Sequence, residues 1–382
     1  MTNILLGMLG SNGDCLYATA IARQLKLDFP GCHLTWAIGR MSRQVLVNNP
    51  DVDTLWEVPQ ASWAEAERSW TLFEAEAHDL ANAGRFDHVY LPQISPARFG
   101  NYDGTIRPSI FRGFPRALTV PVDVTIALTE EETAAVDSWV NASPIASASQ
   151  VVLCECSSKS GQSFMSLDMA LEIAETITAA RQKTVVVIST HEQLRTDNPR
   201  IISGGALSIR QNARLTHYVD LFLGCGSGLT VAATAGCAKP RLPNIQVLRR
   251  GSSVYASFRH DFQYFGKPAD HFLEVTREDA GHIAQVALVA LADGFAAAQA
   301  EHDDPVPLTF DWYMHLISTM LLERGRYVDA ARSLLVTLER YGHQQQLQVF
   351  GKYRVLPFLA DDPRHVLPHR RQEADRLRAL LD

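Results

Sequence analysis

Asp14 is the residue near the N-terminus whose type and setting could do acid–base chemistry. It follows the glycine-rich segment Gly10-Ser11-Asn12-Gly13, which comes after an apolar run at residues 4–9. A carboxylate at this point can cap the first amide groups of a helix, or it can accept a proton from a hydroxyl group bound nearby. The residue type alone favours the cap, so we predict a helix that begins at Asp14.

Two further loops combine small residues with hydrogen-bond donors. Residues 156–163 place hydroxyl groups around one ammonium, and residues 225–230 form a second glycine-rich turn between an apolar strand and a small-residue helix. Hydroxyls and backbone N–H groups of this kind can bind a diphosphate. The candidate ligands are Ser157, Ser158, Lys159, Ser160, Gly226, Ser227, Gly228, Leu229 and Thr230. Two alternatives stay open: Lys159 as an ordinary surface lysine, and Ser227 as the cap of a tight turn.

The elements around these loops follow a β-α-β rhythm that occurs twice. In the first half, an apolar strand at residues 4–9, a helix at 14–27 and a strand at 33–38 follow one another, with a further strand at 87–91. In the second half, strands at 151–155, 184–188 and 221–224 accompany a helix at 167–181. This order predicts two α/β domains of the Rossmann-like type, with a glycine-rich loop of each at the carboxyl ends of its strands.

We place the N-terminal domain at residues 1–145, the C-terminal domain at 150–304 and a helical extension at 305–382. The uncharged, small-residue stretch at 141–149 has the composition of a linker. Residues 312–341 resemble one tetratricopeptide-type helical hairpin, with Ala330, Leu334 and Leu338 as the buried stripe of its second helix. A single hairpin cannot form a repeat array, so a helical cap is the favoured interpretation.

Composition limits the class of protein. The chain has 382 residues, of which 46% are hydrophobic and 20% charged, and its formal net charge of −7 argues against a nucleic-acid partner. We find no apolar stretch long enough to span a bilayer and no basic leader, so we expect a cytoplasmic protein. Six cysteines without a Cys-x-x-Cys pair predict reduced core thiols and no metal site.

The N-terminal motifs resemble a known family. The string at residues 10–20, the turn Phe29-Pro30-Gly31 and the segment at 48–53, Asn-Asn-Pro-Asp-Val-Asp, stand in the order found in family 9 glycosyltransferases, the heptosyltransferases. This resemblance implies the GT-B architecture, in which two Rossmann-like domains face each other across a cleft, here with a C-terminal α-helical extension.

The resemblance also implies a function. A sugar, which in this family is usually heptose, would pass from a nucleotide-diphosphate donor to an acceptor with inversion, without a metal or other cofactor. The family's catalytic aspartate falls on Asp14, which would act as general base in the loop formed by Ser11, Asn12 and Gly13. His191 and Glu192 are candidates for the nucleotide base or ribose, although such a pair is usually plain surface.

The C-terminal motifs depart from the family pattern. Gly226 stands where the family has an aspartate, Val231 stands where it has a histidine, and Gln162 takes the place of a lysine, so that Lys159 is displaced by three residues. The acceptor of this family is often phosphorylated, and phosphate could bind arginines of the N-terminal half. The arginines in question are Arg40, Arg43, Arg98, Arg107 and Arg112.

Two alternative functions accompany this interpretation. One is a nucleotide-binding scaffold that keeps the fold without turnover, and the other is a nucleotide-sugar 2-epimerase, for which the sequence shows no obvious set of acidic and histidine residues. The expected partners of a transferase are a nucleotide-sugar donor and a glycan, lipopolysaccharide or other lipid-linked, or protein acceptor. Peripheral membrane contact and a homo-oligomeric or protein contact through the C-terminal helices are further expectations.

Overall fold

The computed structural model describes residues 1–60, 62–159, 161–190 and 192–381. The N-terminal half contains β1 (Asn3–Gly7), α1 (Asn12–Asp28), β2 (His33–Gly39), β3 (Thr54–Val58), α2 (Ala66–Asn82), β4 (His88–Tyr90), α3 (Arg107–Arg112) and α4 (Glu130–Asn141). Its four strands form a parallel sheet in the order β3-β2-β1-β4. The central strand β1 carries Ile4, Leu5 and Leu6, which are fully buried because helices and loops cover both faces.

The C-terminal half repeats the pattern around a wider sheet. Its elements are β5 (Gln150–Glu155), α5 (Leu167–Ala180), β6 (Thr184–Ser189), β7 (Ile201–Ser203), α6 (Ile209–Leu215), β8 (Leu221–Gly224), α7 (Gly228–Ala232), β9 (Asn244–Val247), α8 (Phe258–Tyr264), β10 (Phe272–Val275), α9 (Ala280–Ala292) and α10 (Phe295–His302). The six strands run parallel in the order β10-β9-β8-β5-β6-β7. The predicted α/β fold with two parallel sheets is therefore confirmed.

The chain ends in helices α11 (Asp311–Met320), α12 (Tyr327–Tyr341), α13 (Gln345–Phe350) and α14 (Pro368–Leu381). Helices α11 and α12 are joined by a hydrogen bond of 2.9 Å between the hydroxyls of Tyr313 and Ser333. The Ser333 hydroxyl also donates to the carbonyl of Tyr102 at 2.6 Å, and Arg340 lies 2.8 Å from the Asp103 carboxylate. The extension is thus anchored on the N-terminal half.

The two halves also meet through α4, the helix that precedes residue 145. The Arg210 guanidinium of α6 donates to the Glu132 carboxylate of α4 through both its Nε, at 2.7 Å, and its Nη2, at 2.6 Å. The Tyr218 hydroxyl donates to Asp137 of the same helix at 2.7 Å. Helix α4, which the sequence assigns to the N-terminal domain, therefore packs against the C-terminal half.

Predictions from the sequence concern the cysteines, membrane-spanning segments and metal sites. All six cysteines are free thiols, and Cys15, Cys154 and Cys225 are fully or almost fully buried, as predicted. In the described ranges, no helix has the length and apolar character needed to cross a bilayer. No group of three or more histidine, cysteine or acidic side chains in the same ranges is arranged to hold a metal ion.

Candidate active site

A cavity of about 1040 Å³ separates the two halves and receives side chains from both. Its floor is made by the loops that follow β1, β5 and β8, and one wall is made by α11 of the extension. Ligands of open α/β sheets bind at the carboxyl ends of the strands, which is where these loops lie. The cavity is at the upper end of the range for single small-molecule sites.

The two glycine-rich turns touch each other at the floor of this cavity. A Cβ atom added to Gly13 would lie 3.3 Å from Cγ2 of Val231, and one added to Gly228 would lie 3.4 Å from Cβ of Asn12. The helices α1 and α7 can approach this closely because neither glycine carries a side chain. The loop formed by Ser11, Asn12, Gly13 and Asp14 therefore faces the C-terminal half directly.

Asp14 lines the cavity but does not begin the helix, so the predicted helix start at Asp14 is wrong. Helix α1 begins at Asn12 with Ser11 as its N-cap, and Asp14 lies in the first turn. Its Oδ2 atom accepts a hydrogen bond of 3.4 Å from the N–H of Ser11. The extended backbone of Ser11 makes it the cap, which leaves the Asp14 carboxyl partly exposed to the cavity.

Burial raises the pKa of Asp14 from its ordinary 3.8 to about 6, although hydrogen bonds from the backbone and side chain of Ser11 oppose the shift. Desolvation penalises the charged form of a carboxyl group, whereas hydrogen bonds to the carboxylate favour it. The Asp14 carboxyl is therefore mostly ionised at pH 7.5 and is a stronger base than an exposed aspartate. A general base works best when its pKa lies near the operating pH.

The second glycine-rich turn is already occupied by a carboxylate of the chain, that of Glu155 at the end of β5. Its oxygens accept from the N–H of Cys225 at 2.9 Å, the N–H of Leu229 at 3.0 Å and the N–H of Thr230 at 3.3 Å. The hydroxyls of Thr230, at 2.6 Å, and Ser227 also donate to it. Glu155 is 3% exposed, and these donors compensate its burial.

This arrangement corrects one part of the predicted diphosphate site. The backbone N–H groups of Leu229 and Thr230 donate to Glu155, and Thr230 is fully buried beneath the cavity wall. Gly226, Ser227, Gly228 and Leu229 do line the cavity. The sequence missed Glu155 because nothing local relates it to a turn about 70 residues later; the only signal is one acidic residue at the end of an apolar strand.

The structure explains why glycine occupies position 226. Gly226 has a φ of +64°, and a Cβ atom there would lie 2.9 Å from the carbonyl oxygen of Ala256. An aspartate at this position would be strained, because of both the left-handed backbone and the close approach. Val231 is 3% exposed and packs against α1 at Gly13, so the position of the family's histidine serves domain contact here.

The hydroxyl-rich loop lies beside the second turn. The amide of Gln162 donates to the carbonyl of Gly226 at 3.1 Å, so the residue in the family's lysine position holds the two loops together. The Ser157 hydroxyl donates to the Glu192 carboxylate at 2.7 Å, and Ser158, Lys159 and Glu192 line the cavity. Ser158 Oγ is buried and has no hydrogen-bond partner among the residues that the structure describes. The candidates Ser160 and His191 lie outside the described residues.

Of the five arginines considered for a phosphorylated acceptor, each of which the sequence alone suggests is an ordinary surface arginine, Arg107 is the one that lines the cavity within the described residues. Its side chain is 1% exposed, lies 3.2 Å from Asp261 of α8 and is 4.3 Å from the ring centre of Tyr17. Burial raises the pKa of Asp261, and Arg107 opposes that shift. The remaining candidates form ion pairs elsewhere: Arg40 and Arg43 with Glu57, Arg98 with Glu74, and Arg112 with Asp103.

Comparison with known proteins identifies the architecture. No protein-family model matches the sequence, and no curated protein matches it significantly. The solved structure of a family 9 glycosyl transferase from Veillonella parvula superposes with a TM-score of 0.51 and 12% identity, over 84% of this chain and 97% of that one.

A second similar structure is ADP-heptose LPS heptosyltransferase II from E. coli. It has a TM-score of 0.51 and 15% identity, over 78% of this chain and 99% of that one. At such identities, the likeness concerns the fold and not the substrates. The chain therefore has the GT-B fold, with two Rossmann-like domains and a cleft between them.

Proposed function

We propose that the protein is an inverting glycosyltransferase that uses a nucleotide-diphosphate sugar, with Asp14 as its general base. The observation that carries this proposal is the position of Asp14: a partly buried carboxyl with a pKa of about 6 at the floor of the interdomain cavity. A helix cap needs no raised pKa and no access to a cavity. The fold shared with a solved family 9 glycosyltransferase supports the same assignment.

In the proposed reaction, Asp14 takes up the proton that the acceptor hydroxyl loses. The acceptor hydroxyl gives its proton to the Asp14 carboxylate while its oxygen forms a bond to the anomeric carbon of the donor sugar. The bond from that carbon to the diphosphate oxygen breaks on the opposite face, so the configuration inverts and the nucleoside diphosphate leaves. Asp14 then loses the proton to solvent, for which a pKa near 6 is suitable.

The leaving diphosphate requires positive charge or hydrogen-bond donors. Lys159 lines the cavity, is exposed and has no ion pair within the described ranges, and the Ser158 hydroxyl beside it lacks a protein partner. We assign both to the diphosphate, in place of the amides that Glu155 occupies. This charge would serve in place of a metal ion, and chelation of divalent cations should leave the rate unchanged.

A scaffold without turnover is the second candidate function, and Glu155 is the observation that favours it. A buried carboxylate at the second glycine-rich turn removes donors that a diphosphate could use and adds negative charge to the cavity.

The cavity also receives the carboxyl groups of Asp14, Glu192 and Asp261, which the sequence did not reveal as a set. A 2-epimerase would use such acids and would release a free or isomerised sugar.

The acceptor side of the proposal includes contact with a membrane surface. Val349, Tyr353 and Val366 are 52, 70 and 62% exposed, and all belong to the C-terminal extension. Residues 345–378 contain seven lysines and arginines. Four of them form ion pairs, and Lys352, Arg354 and Arg371 form none within the described residues. Exposed apolar groups with excess basic charge suit an anionic membrane surface, where a lipid-linked acceptor would be found; the other acceptor classes are a glycan and a protein.

Thermal denaturation with a panel of nucleoside diphosphates and their sugars tests the proposal. A ligand at a hundred times its Kd stabilises the fold by about 2.7 kcal/mol. We expect one nucleotide family to stabilise both the wild type and Asp14→Asn, while turnover of the corresponding sugar is lost in the variant. Stabilisation without turnover in the wild type would favour the scaffold, and release of an isomerised sugar would favour the epimerase.

A further inference from the structure

Helix α11 forms one wall of the cavity and contacts both halves. At its beginning, the Trp312 ring is 6.1 Å from that of Tyr255, and a Cβ atom added to Gly161 would lie 3.4 Å from the indole. Just beyond its end, Arg324 forms an ion pair of 2.8 Å with Glu67 of α2. The helix therefore begins on the C-terminal half and ends on the N-terminal half.

One face of this helix forms an apolar strip that lines the cavity. Trp312, Leu316 and Met320 recur at intervals of four residues, so they share a face, and all three line the cavity that contains Asp14. The strip is about 12 Å long, because an α-helix rises 1.5 Å per residue. We call these three residues the α11 strip.

The α11 strip is less deeply buried than the neighbouring face of the helix, although Leu316 and Met320 also contact the core. Tyr313 and Ile317, one position further along, are 3% and 0% exposed and pack into the core of the extension. The strip residues are only partly buried. Three large apolar side chains that face an open cavity do not gain the full free energy of burial. A ligand with apolar surface would bury them and supply the remainder.

We propose that the α11 strip binds an aliphatic aglycone of the acceptor, next to the hydroxyl that Asp14 activates; this deepens, and rests on, the proposed glycosyl transfer. The nucleotide-sugar donor has little aliphatic surface, and the groups suited to its phosphates, at Ser158 and Lys159, lie on the loop that meets the strip at its Trp312 end. A row that includes leucine and methionine over about 12 Å fits a chain better than one planar base.

A series of n-alkyl β-D-glucosides, from hexyl to nonyl, tests the strip in calorimetric titrations below the critical micelle concentrations. The full-length protein should bind each homologue about fourfold more tightly than the one before, which corresponds to about 0.8 kcal/mol per methylene. Leu316→Gln and Met320→Gln should each flatten this dependence. The matched control is Leu72→Gln, which changes a leucine that is 63% exposed on α2, outside the cavity.

The titrations need neither donor nor turnover, so they are independent of the proposed reaction. Chain-length dependence that persists in Asp14→Asn and is lost in both strip variants supports the assignment. Affinity that does not change with chain length in the wild type, or a dependence that survives both strip substitutions, overturns it. If the dependence is present but no nucleotide sugar is ever turned over, the strip stands as a lipid site and the transferase proposal fails.

Discussion

Replacing Asp14 with asparagine should make the protein inactive and, above pH 6, more stable. The folded state holds the pKa of this carboxyl at about 6 instead of 3.8, so ionised Asp14 destabilises the folded state at any pH above that range. Two pKa units at about 1.36 kcal/mol each give a cost of about 3 kcal/mol. Asparagine has nearly the shape of the protonated acid and avoids this cost.

The sign of the pH dependence follows from linkage. The stability gained by Asp14→Asn is fully present above pH 6 and declines as the pH falls, because wild-type Asp14 then becomes protonated. We expect up to about 3 kcal/mol at pH 8 and about 1 kcal/mol at pH 4.5. Urea denaturation of wild type and variant at both pH values measures the difference.

A carboxylate that merely supports a helix predicts the opposite outcome. Loss of a first-turn carboxylate from the helix dipole costs up to about 1 kcal/mol, and Asp168→Asn, which removes an exposed first-turn aspartate of α5, is the matched control. If Asp14→Asn destabilises the protein at pH 8, or changes its stability equally at both pH values, the assignment of a buried functional acid is refuted.

The remaining predictions concern rate, charge and backbone. The value of kcat/KM should fall about tenfold per pH unit below pH 6, because the raised pKa of Asp14 makes its ionised form the active one; a rate still constant at pH 5 would contradict this. Lys159→Ala should weaken nucleoside diphosphate binding about fivefold, whereas Lys183→Ala, at an exposed lysine outside the cavity, should leave it unchanged in titration calorimetry. Gly226→Asp, which restores the family's residue, should cost about 1–2 kcal/mol of unfolding free energy, because its φ is +64°; unchanged urea midpoints would show that the turn tolerates a side chain.

Local patterns in the sequence were sufficient to predict the α/β fold. The apolar runs that became β1, β5 and β8 are buried strands of parallel sheets, and the glycine-rich segments after β1 and β8 form strand-to-helix turns at the cavity floor. These features depend on neighbours within a few residues. The exact start of α1 could not be derived this way, since Ser11 and Asp14 are both good capping residues and only the backbone geometry selects Ser11.

Contacts between residues that are distant in the sequence could not be predicted. Glu155 meets the turn at Cys225–Thr230 only after β5 and β8 pair, and Arg107 meets Asp261 only when the two halves pack. Five arginines of the N-terminal half were equivalent in sequence, and the structure separates them by whether they line the cavity, as Arg107 does. The position of α11 as a wall of the cavity depends on how the extension packs on the N-terminal half. No local sequence pattern encodes that packing.

The central claim is that Asp14 activates an acceptor for glycosyl transfer. Wild type and Asp14→Asn should be incubated with each member of a panel of nucleotide-diphosphate sugars and a mixed extract of glycolipids and glycans, and the released nucleoside diphosphate should be measured. We expect release from one class of donor by the wild type and a rate at least about a hundredfold lower in Asp14→Asn. Release at equal rates by both proteins, or no release from any donor by the wild type, would contradict it.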